Sequence, residues 1–218
     1  MIRLSPVTRV AVAVVTVASV AVVAACDGGK ASTATTQAPT TTTVVGAAGT
    51  LRQAALAMEG SSSYRFAGAV NAGGHTVNLS GEFSAPDRLH ETITVAGAAP
   101  VERIVIGTAA YQRTGTTWQA APGTATASDP RSTFAALALA TTVSQQGSVY
   151  SFTLAGAAAG SLVSGGTTSG PVTGTVTVSN DRITDLAFRS AAAAGTTVHF
   201  TYSDIGTAPP VVAPKLPV

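Results

Sequence analysis

The chain has 218 residues, 45% of them apolar and only 10% charged, with a mean hydropathy of +0.35, a formal net charge of +2 and a pI near 9.0. Its one cysteine, Cys26, excludes an internal disulfide and a cysteine-based zinc site. The basic excess lies entirely in Arg3 and Arg9; without these two, basic and acidic residues balance and no stripe of the kind nucleic acids require remains.

Arg3 and Arg9 precede an uncharged run, residues 10–25, that leads through Val23-Ala24-Ala25 into Cys26. As a helix this run would span about 24 Å, short of the ~30 Å hydrocarbon core. A charged start, an apolar run and small residues before a unique cysteine form a bacterial lipoprotein signal. Residues 1–25 are then the cleaved leader, and Cys26 carries a thioether-linked diacylglyceryl group. Two or more chains of this kind give stable anchoring to the extracytoplasmic face of the cell membrane. An uncleaved signal anchor is the competing reading. Residues 26–48 (DGGKASTATTQAPTTTTVVGAA from Asp27 on) are a Thr-, Ser-, Ala- and Gly-rich tether, too poor in large apolar groups to offset the entropy of ordering. Residues 49–218 are long enough for a single domain with its own core.

Within that domain, residues 50–60 predict a short amphipathic helix. Thr50 serves as N-cap, Leu51, Ala55 and Met58 share a face, and Gly60 is the stop. The period then falls to two. Tyr64, Phe66, Gly68 and Val70 alternate with polar or small residues, and Gly73-Gly74 turns the chain into a second strand with Val77, Leu79, Gly81 and Phe83 on one side. Pro86-Asp87 leads into a strand at 88–95, where Leu89, Ile93 and Val95 alternate with Arg88, His90, Thr92 and Thr94. Strands at 101–106 and 109–113 flank Gly107, and Trp118 follows the next turn. Asp129-Pro130 predicts the start of a second helix whose face carries Phe134, Leu137 and Ala138. Strands follow at 149–154 (Tyr150, Phe152, Leu154), 172–178, 182–188 and 196–202, with Asn180-Asp181 as a tight hairpin turn. The expected fold class is α+β: a curved antiparallel sheet, or half-barrel, with short helices covering its concave apolar face. Small covering residues leave room for an apolar cavity.

Catalytic signatures are missing from the sequence. Ser169 falls one place late for a nucleophile elbow in Gly166-Thr167-Thr168-Ser169-Gly170, and neither lysine of the mature chain, Lys30 or Lys215, follows a phosphate-binding glycine loop. His90-Glu91 meets Thr94 where a zinc helix needs its second histidine. His75, His90 and His199 fall in strand patterns and read as surface residues. Glu91 shares parity with Leu89, Ile93 and Val95; it reads first as a strand-end or register irregularity, and second as an inward carboxylate near a cavity mouth. No enzyme activity, cofactor or metal is expected.

Three strings resemble the mycobacterial LppX/LprG-type lipoproteins, which share a LolA-like half-barrel. They are residues 80–88 (SGEFSAPDR), residues 110–113 (AYQR) with Trp118 after IVIG, and residues 200–206 (FTYSDIG) before a proline-containing tail. The resemblance implies a cavity that receives acyl chains, a lipid or glycolipid ligand, and a role in carrying or displaying lipid across the cell envelope with an envelope transport protein as partner. It transfers an apolar face and no fixed ligand set. On the sheet that face comprises Phe66, Val77, Leu79, Phe83, Ile93, Phe152, Val176, Phe188, Phe200 and Tyr202; Leu51, Met58, Phe134 and Leu137 supply the helices. Residues 155–166 (AGAAAGSLVSGG) depart from a strong cover helix. A non-enzymatic interaction or sensing lipoprotein with a filled core is the alternative. If Cys26 carries the anchor, Cys26→Ala is expected to move the protein from the membrane fraction to the soluble fraction on cell fractionation. Unchanged partitioning would refute lipidation.

Overall fold

The computed structural model describes residues 46–121, 130–155, 159, 170–191 and 195–217. The leader, Cys26, most of the tether, Asp129 and most of 155–166 lie outside them. In chain order the elements are α1 (Ala47–Glu59), β1 (Ser63–Ala72), β2 (His75–Ser84), β3 (Arg88–Val95), β4 (Val101–Ile106), β5 (Ala109–Thr114) and β6 (Thr117–Ala120). Then follow α2 (Ser132–Leu137), β7 (Thr142–Gln146), β8 (Val149–Leu154), β9 (Val172–Ser179), β10 (Arg182–Ser190) and β11 (Thr197–Ser203).

All strands join one 11-stranded antiparallel sheet in the order β6-β5-β4-β3-β2-β1-β11-β10-β9-β8-β7. The sheet is two meanders: β1 to β6 runs outward to one edge, and β7 to β11 returns from the other. Pairing of β1 with β11 joins them, from Arg65 opposite Ser203 to Asn71 opposite Thr197. Among the described residues β6 and β7 have no outer neighbour, so the sheet stays open and does not close into a barrel. The chain must cross from one edge to the other between β6 and β7, and α2 lies on that crossover.

The period-two pattern places the strands as expected, and two further strands, β6 and β7, enlarge the sheet. Both are short edge strands, four and five residues long, with one large apolar residue each (Trp118 and Val143) and therefore no apolar alternation to mark them. The helix starts differ from the sequence expectation. Gly46, not Thr50, caps α1, and the Thr50 amide donates to the Gly46 carbonyl at 3.0 Å. Ala47 and Ala48 have high helix propensity and extend the first turn backwards. Arg131 stands at the N-cap of α2, which runs only six residues. The predicted turn at Asn180-Asp181 has both residues left-handed (φ 49° and 57°), as a type I′ hairpin demands.

Leu51, Ala54, Ala55 and Met58 bury one face of α1, and Phe134, Ala136 and Leu137 one face of α2. They pack with Tyr150, Phe152, Leu154, Val172, Val176, Ile183, Leu186 and Phe188 into the main core. This core lies under the β8–β10 half of the sheet. The other half has only a small cluster of Leu89, Val105 and Ala110. The opposite, outer face is rich in Ser and Thr and carries ion pairs: Arg65 with Glu82 and Asp204, Glu102 with His90 and Arg113, and Asp185 with His199. Half-exposed pairs of this kind add little to stability.

Three inner-face glycines sit directly opposite aromatic rings. Gly81 faces Phe66, Gly68 faces Phe200, and Gly174 faces both Phe188 and Phe152. A Cβ on Gly81 would stand 2.9 Å from the Phe66 ring; one on Gly174 would stand 2.7 Å from the Cβ of Phe188 and 2.8 Å from the Phe152 ring. The nearest atoms to such a Cβ are backbone carbonyls of the adjacent strand, those of His90 at Gly81, His199 at Gly68 and Ala187 at Gly174. The close approach of the backbones first, and the rings lying across them second, therefore requires glycine. Gly81→Ala and Gly174→Ala are each expected to lower the urea midpoint, at a cost of about 1–3 kcal/mol. Gly60→Ala, where the nearest atom is a carbonyl at 3.5 Å, is expected to shift stability by less than about 0.5 kcal/mol. Equal effects at all three positions would refute the packing role.

Candidate functional site

The inner face holds a cavity of about 250 Å³ between the junction of the two meanders and the start of α2. Phe66, Val70 and Leu79 wall it from β1 and β2, and Leu186, Phe188, Val198 and Phe200 from β10 and β11. Tyr64 and Tyr202 form its aromatic floor, and Pro130 and Thr133 from the crossover border it. The Tyr202 ring meets Phe134 edge-on at 5.2 Å and Tyr64 at 5.8 Å, while Tyr64 stacks on Phe83 at 5.1 Å. Alternating parity places these side chains on one side of the sheet, and the β1–β11 register brings the halves of the wall together.

Of the side chains expected on the apolar face, Phe66, Leu79, Phe188, Phe200 and Tyr202 line this cavity. Leu51, Met58, Phe83, Phe134, Leu137, Phe152 and Val176 are buried in the packed core. Val77 and Ile93 are partly buried on the inner face, outside the cavity lining. Cys26 lies outside the described residues. Val70, Leu186 and Val198 were legible in principle, because each shares parity with a neighbouring predicted aromatic or Gly68.

Two charged residues also line the cavity, Glu91 of β3 and Arg103 of β4. The reading of Glu91 as a register irregularity is corrected: β3 is regular, Glu91 pairs with Gly81 and Arg103, and its side chain is 8% exposed. The Nε of Arg103 donates to Oε1 of Glu91 at 2.6 Å, and Nη2 of the same guanidinium reaches the same oxygen. Gly81 stands opposite Glu91 and has no side chain to come between the β2 and β3 backbones there.

The register extends this pair into a continuous cross-strand row. Tyr202 stands opposite Phe66, Phe66 opposite Gly81, Gly81 opposite Glu91, Glu91 opposite Arg103, Arg103 opposite Gln112, and Gln112 opposite Gln119. The row is aromatic over the centre of the sheet and polar towards the β6 edge. Apolar rows flank it: Tyr64, Phe83, Leu89, Val105 and Ala110 on one side, and Phe200, Gly68, Leu79, Ile93 and Val101 on the other.

A larger, shallow depression of about 690 Å³ lies over the outer face of β7–β11, lined mainly by Thr and Ser with His199 and Arg189. Phe152, Phe188 and Val198 also reach its lining, but it is shallow and open to solvent. The inner cavity is more enclosed and walled mainly by apolar side chains, so the inner cavity is the candidate site. Among the described residues no three His, Cys, Asp or Glu side chains gather as a metal site, and no helix is long and apolar enough to cross a membrane.

No protein-family model and no curated protein matches the sequence. Solved structures do match the fold. LprF from Mycobacterium bovis superposes with a TM-score of 0.59 at 16% identity, over 78% of this chain and 96% of LprF. The lipoprotein LppX from Mycobacterium tuberculosis gives 0.55 at 15% identity, over 76% of this chain and 97% of LppX. The chain thus has the LolA-like half-barrel fold of these mycobacterial proteins.

Tyr202 is partly buried, its ring packed among Tyr64, Phe134 and Phe200. Desolvation among the rings, and secondarily the charge of Asp185, raise the Tyr202 phenol above its ordinary value. Folding favours the neutral phenol, so its contribution is complete below the ordinary value of about 10 and is lost as pH rises through the higher folded value. Alkaline titration followed by phenolate absorbance is expected to give matching curves for wild type and Tyr202→Phe until the chain unfolds. A smaller amplitude in the variant near pH 10, with the fold intact, would refute the burial.

Proposed function

We propose that this protein is a cell-envelope lipoprotein, anchored through Cys26 on the extracytoplasmic face, that binds the acyl chain of a lipid in the inner-face cavity and carries or displays it. The observation behind this reading is the 250 Å³ apolar cavity at the junction of the two meanders. It is supported by the leader sequence and by the likeness of fold to lipoproteins. Site chemistry for an enzyme is lacking among the cavity residues: its two ionisable partners are consumed in an ion pair, and no nucleophile–base couple stands beside them.

Magnitudes constrain the ligand. Ordinary ligand pockets hold about 300–1,000 Å³, so 250 Å³ is small. At roughly 30 Å³ for a water-sized group, it accommodates about eight such groups, the length of one medium acyl chain. Burying eight methylenes at ~0.8 kcal/mol each gives about 6 kcal/mol, an affinity in the tens of micromolar. Such a ligand is exchangeable, as a carrier requires, and its head group must supply any discrimination. The second reading, an interaction lipoprotein, is favoured by Leu56 and Leu139, which stand 48% and 62% exposed on the helical layer.

Equilibrium dialysis of the full chain against a medium-chain acyl lipid held about tenfold above the tens-of-micromolar constant, read by mass spectrometry of the protein-side organic extract, is expected to show near one acyl-bearing species bound per protein. Leu79→Trp, which fills the cavity from β2, is expected to reduce that occupancy at least about tenfold without a change in Tm beyond a few degrees. Repeatedly empty wild-type protein would count decisively against lipid binding.

A further inference from the structure

We infer that the Glu91–Arg103 pair, with the glutamines beyond it, is a head-group site selective for an uncharged, hydroxyl-bearing head on a single acyl chain. The inference rests on the lipid reading above and adds the chemical class of the ligand.

The pair is a costly feature of an otherwise apolar wall. Rows of apolar side chains run on both sides of it, and Glu91 is almost fully withdrawn from solvent. Two well-packed apolar residues at a cross-strand site of this kind would serve folding equally well or better. A role towards a ligand accounts for the charges being there. Both face the cavity in which an acyl chain would lie.

The bonding pattern selects the head. Arg103 engages one oxygen of Glu91 with two nitrogens. Among the described residues the other oxygen, Oε2, and the remaining nitrogen, Nη1, have no protein partner. One acceptor and one donor thus remain at the cavity wall, on separate sides of the pair and each belonging to a charged group. A hydroxyl can serve either, accepting from the guanidinium or donating to the carboxylate, and a head with several hydroxyls can serve both. An anionic head drawn to Arg103 meets Glu91, and a cationic head drawn to Glu91 meets Arg103. The paired charges sum to zero, so neither kind of ion gains net attraction. Further along the row, the exposed side chains of Gln112 and Gln119 add neutral donors and acceptors with no net charge. A head with several hydroxyls can reach along this stripe while its chain occupies the cavity between Phe66 and Phe200.

The test compares three amphiphiles with the same ten-carbon chain and different heads: decanoylglycerol, decanoate and decyltrimethylammonium. Each is titrated against the full chain held in amphipol, by equilibrium dialysis with an amphipol-only control. Decanoylglycerol is expected to bind at least about tenfold more tightly than either ion. Glu91→Gln, which frees the Arg103 charge, is expected to make decanoate the preferred ligand; Arg103→Gln is expected to favour decyltrimethylammonium. A general loosening of structure would not invert preference in opposite senses. Gln112→Ala with Gln119→Ala, at exposed positions, is expected to weaken decanoylglycerol about threefold and leave decanoate unchanged. Equal binding of all three by the wild type would overturn the head-group site while leaving an acyl cavity standing. Binding of none of them would overturn the lipid reading itself.

Discussion

The pairing of β1 with β11 is the constraint on which the rest of the structure depends. It joins the first strand of the domain to the last, across more than a hundred intervening residues, and converts two separate meanders into one sheet. Each meander can form locally through short turns, but neither has a closed core by itself. The β1–β11 register places Phe200 over Gly68 and Tyr202 beside Phe66. It therefore assembles the aromatic wall of the cavity from residues that lie far apart in the chain. A slip of one residue would turn every one of these rings to the outer face. Loop-closure entropy opposes such a long-range contact, and the interlocking of bulky rings with glycines helps specify its register.

The asymmetry of the inner face follows from the same topology. The crossover from β6 to β7 carries α2 over the inner face at the junction, while α1 packs beside it against the second meander. The two helices are too short to cover eleven strands. They seal β8–β10 into a dense core, and among the described residues no helix covers the inner face of β3–β6. Where sealed and open halves meet, the packing is incomplete, and that is where the cavity lies. The polar row appears on the open side only. Charge is tolerated there because Arg103 keeps part of its guanidinium in solvent, its side chain being 36% exposed, while the deeper Glu91 is compensated by it.

Local features were legible in the sequence and long-range ones were not. Strand parity identified the inner face from Tyr64 to Phe83 and again from Tyr150 to Phe188, because a half-buried antiparallel strand needs that alternation. The turns at Gly73-Gly74 and Asn180-Asp181 were readable because their backbone conformation restricts residue choice. The edge strands β6 and β7 were not, since edges bury little and their Thr, Gln and Ser carry little pattern. Helix starts were misplaced because Thr50 looks like a cap, whereas the alanines before it already favour helix. The division of apolar residues between core and cavity was invisible: Phe152 and Phe200 read alike, and only the position of the helices separates them. Glu91 was the instructive case. Its parity pointed inward, but burying a carboxylate without a known partner is so unfavourable that an irregular strand was the better reading. The missing information was the β3–β4 register, which sets Arg103 directly opposite.

That register also links the size of the cavity to the chemistry at its edge. A cavity that takes one chain of about eight groups cannot draw high affinity from burial alone. An apolar wall by itself would accept any chain end and any head. With limited hydrophobic gain, even one well-formed hydrogen-bonded contact decides between ligands, because each 1.4 kcal/mol is a factor of about ten. A buried ion pair beside such a cavity penalises partners that carry charge and leave one member unmatched, and it favours those that bridge both. Gly81 sits between the aromatic and polar parts of this row, opposite both Phe66 and Glu91. A side chain there would meet the end of the Phe66 ring and the β3 backbone at Glu91, so one glycine sets how closely the ring and the strand that carries the charge approach.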